Sequence, residues 1–157
     1  MATPTQTHAE TTVESSVIEA LSALLANSYT LYVKTHNYHW NVTGPMFSSL
    51  HALFEMQYTE LATAVDEIAE RIRALGAFAP GSFTAFEAMS AVSEDTGHPT
   101  AEQMIGHLAD DNETLAAAAQ RTFEAAEQAG DSATADLATE RIQVHQKNAW
   151  MLRSHLR

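Results

Sequence analysis

From Ile18 onward the apolar residues recur three and four positions apart. Ile18, Leu21, Leu25, Tyr29, Tyr32 and His36 make one face of a helix predicted from about residue 14 to residue 39, because that spacing keeps side chains on one stripe at 3.6 residues per turn. Thr11-Thr12-Val13-Glu14 has the form of a capping box at its start. Gly44-Pro45 breaks the chain. A second periodic run follows from about Ser48 to Leu75, through Leu50, Leu53, Phe54, Tyr58, Leu61, Val65, Ile68 and Ile72, with Gly76 as its C-cap. Residues 77–99 are a long connection bounded by Pro80-Gly81 and Gly97-His98-Pro99, with a short helix expected between Phe83 and Val92. Thr100-Ala101-Glu102-Gln103 opens a third long helix to about Gln128, closed by Gly130. Ser132 begins a fourth that reaches the C-terminus.

Four long helices with one long crossover predict an all-α protein: a ferritin-like four-helix bundle with a short helix in the connection between helices 2 and 3. Residues 13–157 are assigned to that domain and residues 1–12 to a flexible N-terminal tail. At 157 residues the chain is one domain, able to bury about two-thirds of its unfolded surface. Zero cysteines exclude disulfides, thiolate metal sites and a cysteine nucleophile, so any metal must be held by His, Asp or Glu. Eight Lys and Arg against twenty Asp and Glu give a formal charge of -12, a surface that repels phosphate backbones and attracts cations. Met1 to Ser16 contains no Lys or Arg and no apolar run, unlike a secretory signal, and no stretch approaches a membrane span. The expectation is a soluble cytoplasmic protein.

The second helix carries the candidate chemistry. His51 and Glu55 lie four apart, Asp66 and Glu70 lie four apart, and the pairs are offset by fifteen residues. At about 100° per residue all four fall within roughly one quadrant of the helix, yet His51 and Asp66 are separated by roughly 22 Å along it. One helix cannot close such a site. A second copy packed antiparallel about a two-fold axis near Glu60 and Leu61 would bring His51 and Glu55 of one chain to Asp66 and Glu70 of the other, giving two identical sites per dimer. His39, at the end of the preceding helix, is close enough in the chain to fold back beside His51.

The run "HNYHWNVTGPMFSSLHALFEMQYTELATAVDEIAERIRALG", with the ending "AWMLR", resembles the Dps family, ferritin-like proteins also called DNA-binding proteins from starved cells. The match is dense from Tyr29 to Gly76, and the helix plan extends it over nearly all the remaining chain. The resemblance implies a hollow dodecamer in which His39 and His51 of one subunit, with Asp66 and Glu70 of its two-fold mate, bind iron. Glu55 stands where the family often has aspartate, which keeps the charge on a longer arm at a second iron position. The implied activity is a ferroxidase: Fe(II) is oxidised, with hydrogen peroxide as the preferred oxidant, and stored as Fe(III) mineral in the shell, protecting the cell from oxidative damage. Mixed imidazole and carboxylate ligands suit that chemistry. Tyr38 and Trp40 could intercept stray oxidising equivalents, with packing as the default reading for Trp40 and Trp150. His36, His98, His107, His145 and His155 have no comparable partners and are read as structural or exposed.

Asp131, Asp136 and Glu140 cluster at the turn into the fourth helix, a region the resemblance places at acidic iron-entry pores. Asp131 equally suits an N-cap and Asp136 the first turns of a helix, which needs no pore. Two other functions stand beside the ferroxidase. One is DNA binding and compaction in the nucleoid, which the family name suggests, although the first 33 residues contain no Lys or Arg and the C-terminus supplies only Lys147, Arg153 and Arg157. The other is a non-catalytic oligomeric scaffold, which leaves the clustered ligands unexplained.

Overall fold

The structure, a computed structural model, describes the backbone of residues 5–157 and the side chains of residues 12–157. Helix α1 spans Thr5–Asn41, α2 Phe47–Ala74, α3 Phe83–Met89, α4 Ala101–Ala129 and α5 Ser132–Arg153, and a single 3-10 turn over Ser154–Leu156 follows. No strand occurs among the described residues. Helix α1 packs along both α2 and α4, α4 packs along α5, and α3 crosses over α1. This is the four-helix bundle with its short crossover helix, and among the described residues no helix is long and apolar enough to cross a membrane.

The start of α1 differs from expectation. Residues 5–12, assigned to a flexible tail, are helical, and Thr11–Glu14 lies inside the helix instead of capping it. No Gly or Pro falls between Thr5 and Asn41, so the sequence offers no stop short of that start. Residues 1–4 of the proposed tail lie outside the described residues. The other boundaries follow local chemistry closely. Thr100 and Gln103 form the reciprocal capping box of α4, and Gly130 closes that helix in the left-handed region at φ 66°. Ser82 caps α3 through Ala85 N. Helix α3 stops at Met89, before Val92, because Asn27 of α1 takes over the crossover backbone: its Oδ1 accepts from Ala91 N at 2.8 Å and Val92 N at 3.2 Å. A buried carboxamide thus replaces the partners a longer helix would have provided.

Leu21, Leu25 and Leu31 of α1 meet Leu50, Phe54, Leu61, Ile68 and Ile72 of α2 and Ile105, Leu108 and Leu115 of α4 in one buried core. The apolar stripe of α2 therefore faces inward. His51, Glu55, Asp66 and Glu70 are left outside the core on the same helix.

Candidate metal centre

Helix α1 ends at Asn41 and α2 begins at Phe47, with Gly44 making the turn between them at φ 105°, a backbone conformation a side chain would strain. So short a link folds the end of α1 against the start of α2 and sets His39 beside His51. The two imidazoles stack 3.8 Å apart at an interplanar angle of 13°. Each is tied to the other residue's main chain: His39 Nδ1 lies 2.7 Å from His51 O, and His51 Nδ1 lies 2.7 Å from His39 O. A carbonyl oxygen only accepts, so Nδ1 of both rings must carry the hydrogen. In the neutral ring that leaves Nε2 as the unprotonated nitrogen, the state a metal ligand needs. Phe47 stacks on the His51 ring at 5.0 Å, and Tyr58 meets His39 edge-on at 5.1 Å, so both rings are held by neighbours as well as by hydrogen bonds.

Glu55, Asp66 and Glu70 are exposed along α2. Within the single chain no group of three or more His, Cys, Asp or Glu converges on one point among the described residues. The chain brings together His39 and His51 and leaves the acidic pair of Asp66 and Glu70 roughly 22 Å further along the helix axis. Three large apolar side chains of the same two helices are exposed: Trp40 at 62%, Met56 at 52% and Phe47 at 42%. What the chain offers by itself is a stacked imidazole pair, held by hydrogen bonds at one end of α2, with exposed carboxylates along the same helix.

Other sequence candidates lie elsewhere. Tyr38, next to His39 in sequence, is fully buried on another side of α1, where its hydroxyl donates to the Asp95 carboxylate and lies 3.0 Å from His107 Nδ1. Burial, then Asp95, pushes its phenol far up, while the Tyr38 hydrogen bond holds Asp95 below the usual carboxylate range. Trp40 has its ring 3.9 Å from His36 and is otherwise open, so it does not plug the core of its own chain. Asp131 caps α5 through Thr134 N at 3.0 Å and pairs with Arg71 at 2.9 Å. Burial works to raise its pKa, but those bonds and the Arg71 charge prevail and hold it low. Asp136 and Glu140 are exposed on α5. Among the remaining histidines, His98 is exposed and His155 bonds to Met151 O at 3.0 Å. His145 is buried in the bundle.

Tyr58 is a neighbour that sequence spacing could have found. It lies seven residues after His51, two turns along the same face of α2, and it touches His36 at 4.3 Å as well as His39. Burial, and then the His39 charge, lowers the pKa of His36.

A family model described as "Ferritin-like domain" matches residues 18–157. The chain is 39% identical over 140 residues, 89% of this chain and 96% of the relative, to DNA protection during starvation protein 2 of Bacillus anthracis. The fold superposes with a TM-score of 0.92 on the Dps of Thermosynechococcus elongatus, at 34% identity and covering 95% of each chain. A Dps protein of Vibrio cholerae, described as one of the ferritin-like diiron-carboxylate proteins, gives a TM-score of 0.89 at 35% identity, over 94% of this chain and 92% of that one.

Proposed function

The chain belongs to the Dps family of ferritin-like proteins, and from that premise we propose that it is a ferroxidase that oxidises Fe(II) with hydrogen peroxide and stores the Fe(III) product in a hollow dodecameric shell in the cytoplasm. The observation that carries this reading is the mutual tie of His39 and His51, which commits Nδ1 of each ring to a carbonyl and leaves Nε2 for iron. Iron is here the substrate. His39 and His51 bind it from one chain, and Asp66 and Glu70 bind it from the two-fold mate. Glu55, one turn after His51, serves a second iron position. The exposed Trp40, Phe47 and Met56 support closure by a second copy, since large apolar side chains left uncovered near a site are the kind that an interface buries. Imidazole suits Fe(II) and carboxylate favours Fe(III), so the shared set binds the reactant and tolerates the product. Consuming peroxide pairwise with ferrous ions keeps hydroxyl radical from being released.

In this proposal Asp136 and Glu140 line the entry for Fe(II), a ring of exposed carboxylates easing the passage of a divalent cation. Asp131 braces the mouth instead, because its carboxylate is already occupied by Arg71 and the α5 backbone.

The relative's name favours a second reading, DNA protection through binding. The charges argue against strong binding. Lys34, Arg71, Arg141 and Arg153 are all ion-paired within the chain, which removes them as phosphate partners.

Because the site is shared, mixed assemblies test it. His51→Ala and Asp66→Ala shells should each oxidise Fe(II) slowly. After reassembly from equal amounts of both, about a quarter of the sites should be intact and activity should recover accordingly. Verified hybrids with no recovery would sink the shared site. In chelator the same protein should leave plasmid DNA unretarded; a salt-sensitive shift would restore the DNA reading.

A further inference from the structure

Beside the histidine pair runs a chain of aromatic rings that binding iron does not require. Tyr58 of α2 stands 5.1 Å from His39 and 4.3 Å from His36, His36 stands 3.9 Å from Trp40, and Tyr32 lies 6.0 Å from Tyr58. Phenol and indole are the side chains most readily oxidised by one electron; imidazole is not. Among the redox-active rings of the described residues, Tyr58 is the one in contact with a proposed iron ligand. Trp40 lies beyond His36 and is 62% exposed. Tyr38, adjacent to His39 in sequence, is turned away to Asp95 and His107.

We propose that Tyr58 is an electron donor to the iron site, supplying the second electron when peroxide meets a site holding a single Fe(II). The inference rests on the ferroxidase reading. Hydrogen peroxide needs two electrons to become two waters, and one ferrous ion gives one. The O–O bond breaks, Fe(II) becomes Fe(III), and Tyr58 loses an electron and its phenolic proton, which goes to solvent: Fe(II) + H2O2 + Tyr–OH + H+ gives Fe(III) + 2 H2O + the tyrosyl radical. The next Fe(II) reduces the radical, taking up one proton, so the sum is two Fe(II) per peroxide. Without Tyr58 a singly loaded site would cleave peroxide by one electron and release hydroxyl radical.

The test uses the assembled full chain with one Fe(II) per site and one equivalent of peroxide, frozen rapidly for electron paramagnetic resonance, alongside a spin trap for hydroxyl radical. The wild type and Tyr32→Phe should show a tyrosyl signal. Tyr58→Phe, which keeps the ring packing, should lose that signal and raise the spin-adduct yield several-fold. A tyrosyl signal that persists in Tyr58→Phe, or disappears only in Tyr32→Phe, overturns the assignment, as does an unchanged adduct yield. A wild type that oxidises no Fe(II) saturably overturns the ferroxidase reading and this inference with it, which separates the two failures.

Discussion

Two clusters in this chain join histidine to polar partners, one inside the bundle and one on its outer face, and they use the imidazole in opposite ways. Inside, His145 of α5 is fully buried, with Nδ1 2.8 Å from Asn112 Oδ1 and Nε2 3.2 Å from the Arg141 guanidinium. Asn112 is oriented by its own Nδ2, which donates to Leu108 O at 2.8 Å, so its oxygen accepts from His145. Arg141 in turn binds the Glu60 carboxylate of α2. Both ring nitrogens of His145 are spent within the fold. At the outer pair, His39 and His51 each spend one nitrogen on a carbonyl. Counting lone pairs separates a histidine that ties helices together from one that can take iron, where burial alone does not: His39 is itself only 7% exposed.

The strongest way to press this contrast is His145→Ala. It opens a cavity and strands both Asn112 and the buried Arg141, so stability should fall by about 3 kcal/mol or more, read as a lower urea midpoint at fixed chain concentration. Iron oxidation under native conditions should be retained. Loss of oxidation with stability unchanged would reverse the roles assigned to the two clusters. The complementary change, His51→Ala, should slow peroxide-driven Fe(II) oxidation by about a hundredfold. Its thermal midpoint should move little, because the ring lies at the half-exposed start of α2. A wild-type rate in the assembled variant would remove His51 from the site.

Acid sharpens the comparison more gently. Burial, reinforced by the Arg141 charge, lowers the pKa of His145 to about 3. The unfolded chain therefore takes up a proton near the ordinary histidine value of about 6.5 while the native chain does not. The stability this provides is fully present above that value and is lost as pH falls from about 6.5 toward 3, at about 1.4 kcal/mol per pH unit. His36, also lowered, adds to the same window. Asp95 and Asp131, held low, matter only below the usual carboxylate range. His145→Gln should flatten the decline between pH 6 and 4 in urea titrations; an unchanged slope would mean that the buried ring is not the titrating group.

Much of this architecture was legible because it is local. The capping box at Thr100, the glycine at Gly130 and the apolar stripe of α2 each declare themselves within a few residues. His39 and His51 were legible because a short link with a Gly-Pro break can only fold back. Long-range partners were not. Arg71 of α2 reaches across to Asp131. Arg141 meets Glu60 from 81 positions away. The apolar recurrence begins only at Ile18, so it gave no signal for a helix start at Thr5, and adjacency in sequence pointed to Tyr38 where the structure sets Tyr58 beside His39. Periodicity reports which way a side chain leaves its helix; it does not report which other helix stands there.

The paired hydrogen bonds between His39 and His51 also bear on how such a protein can change over generations. Each ring is anchored by the backbone of the residue that carries the other, so replacing either histidine removes one proposed iron ligand and the ring stacked on the remaining one, but not the remaining ring's hydrogen bond. Because each anchor is a main-chain carbonyl, it outlasts the side chain beside it: after a change at one position the other imidazole keeps its hydrogen bond and its uncommitted Nε2, so the pair can be lost or gained one ring at a time.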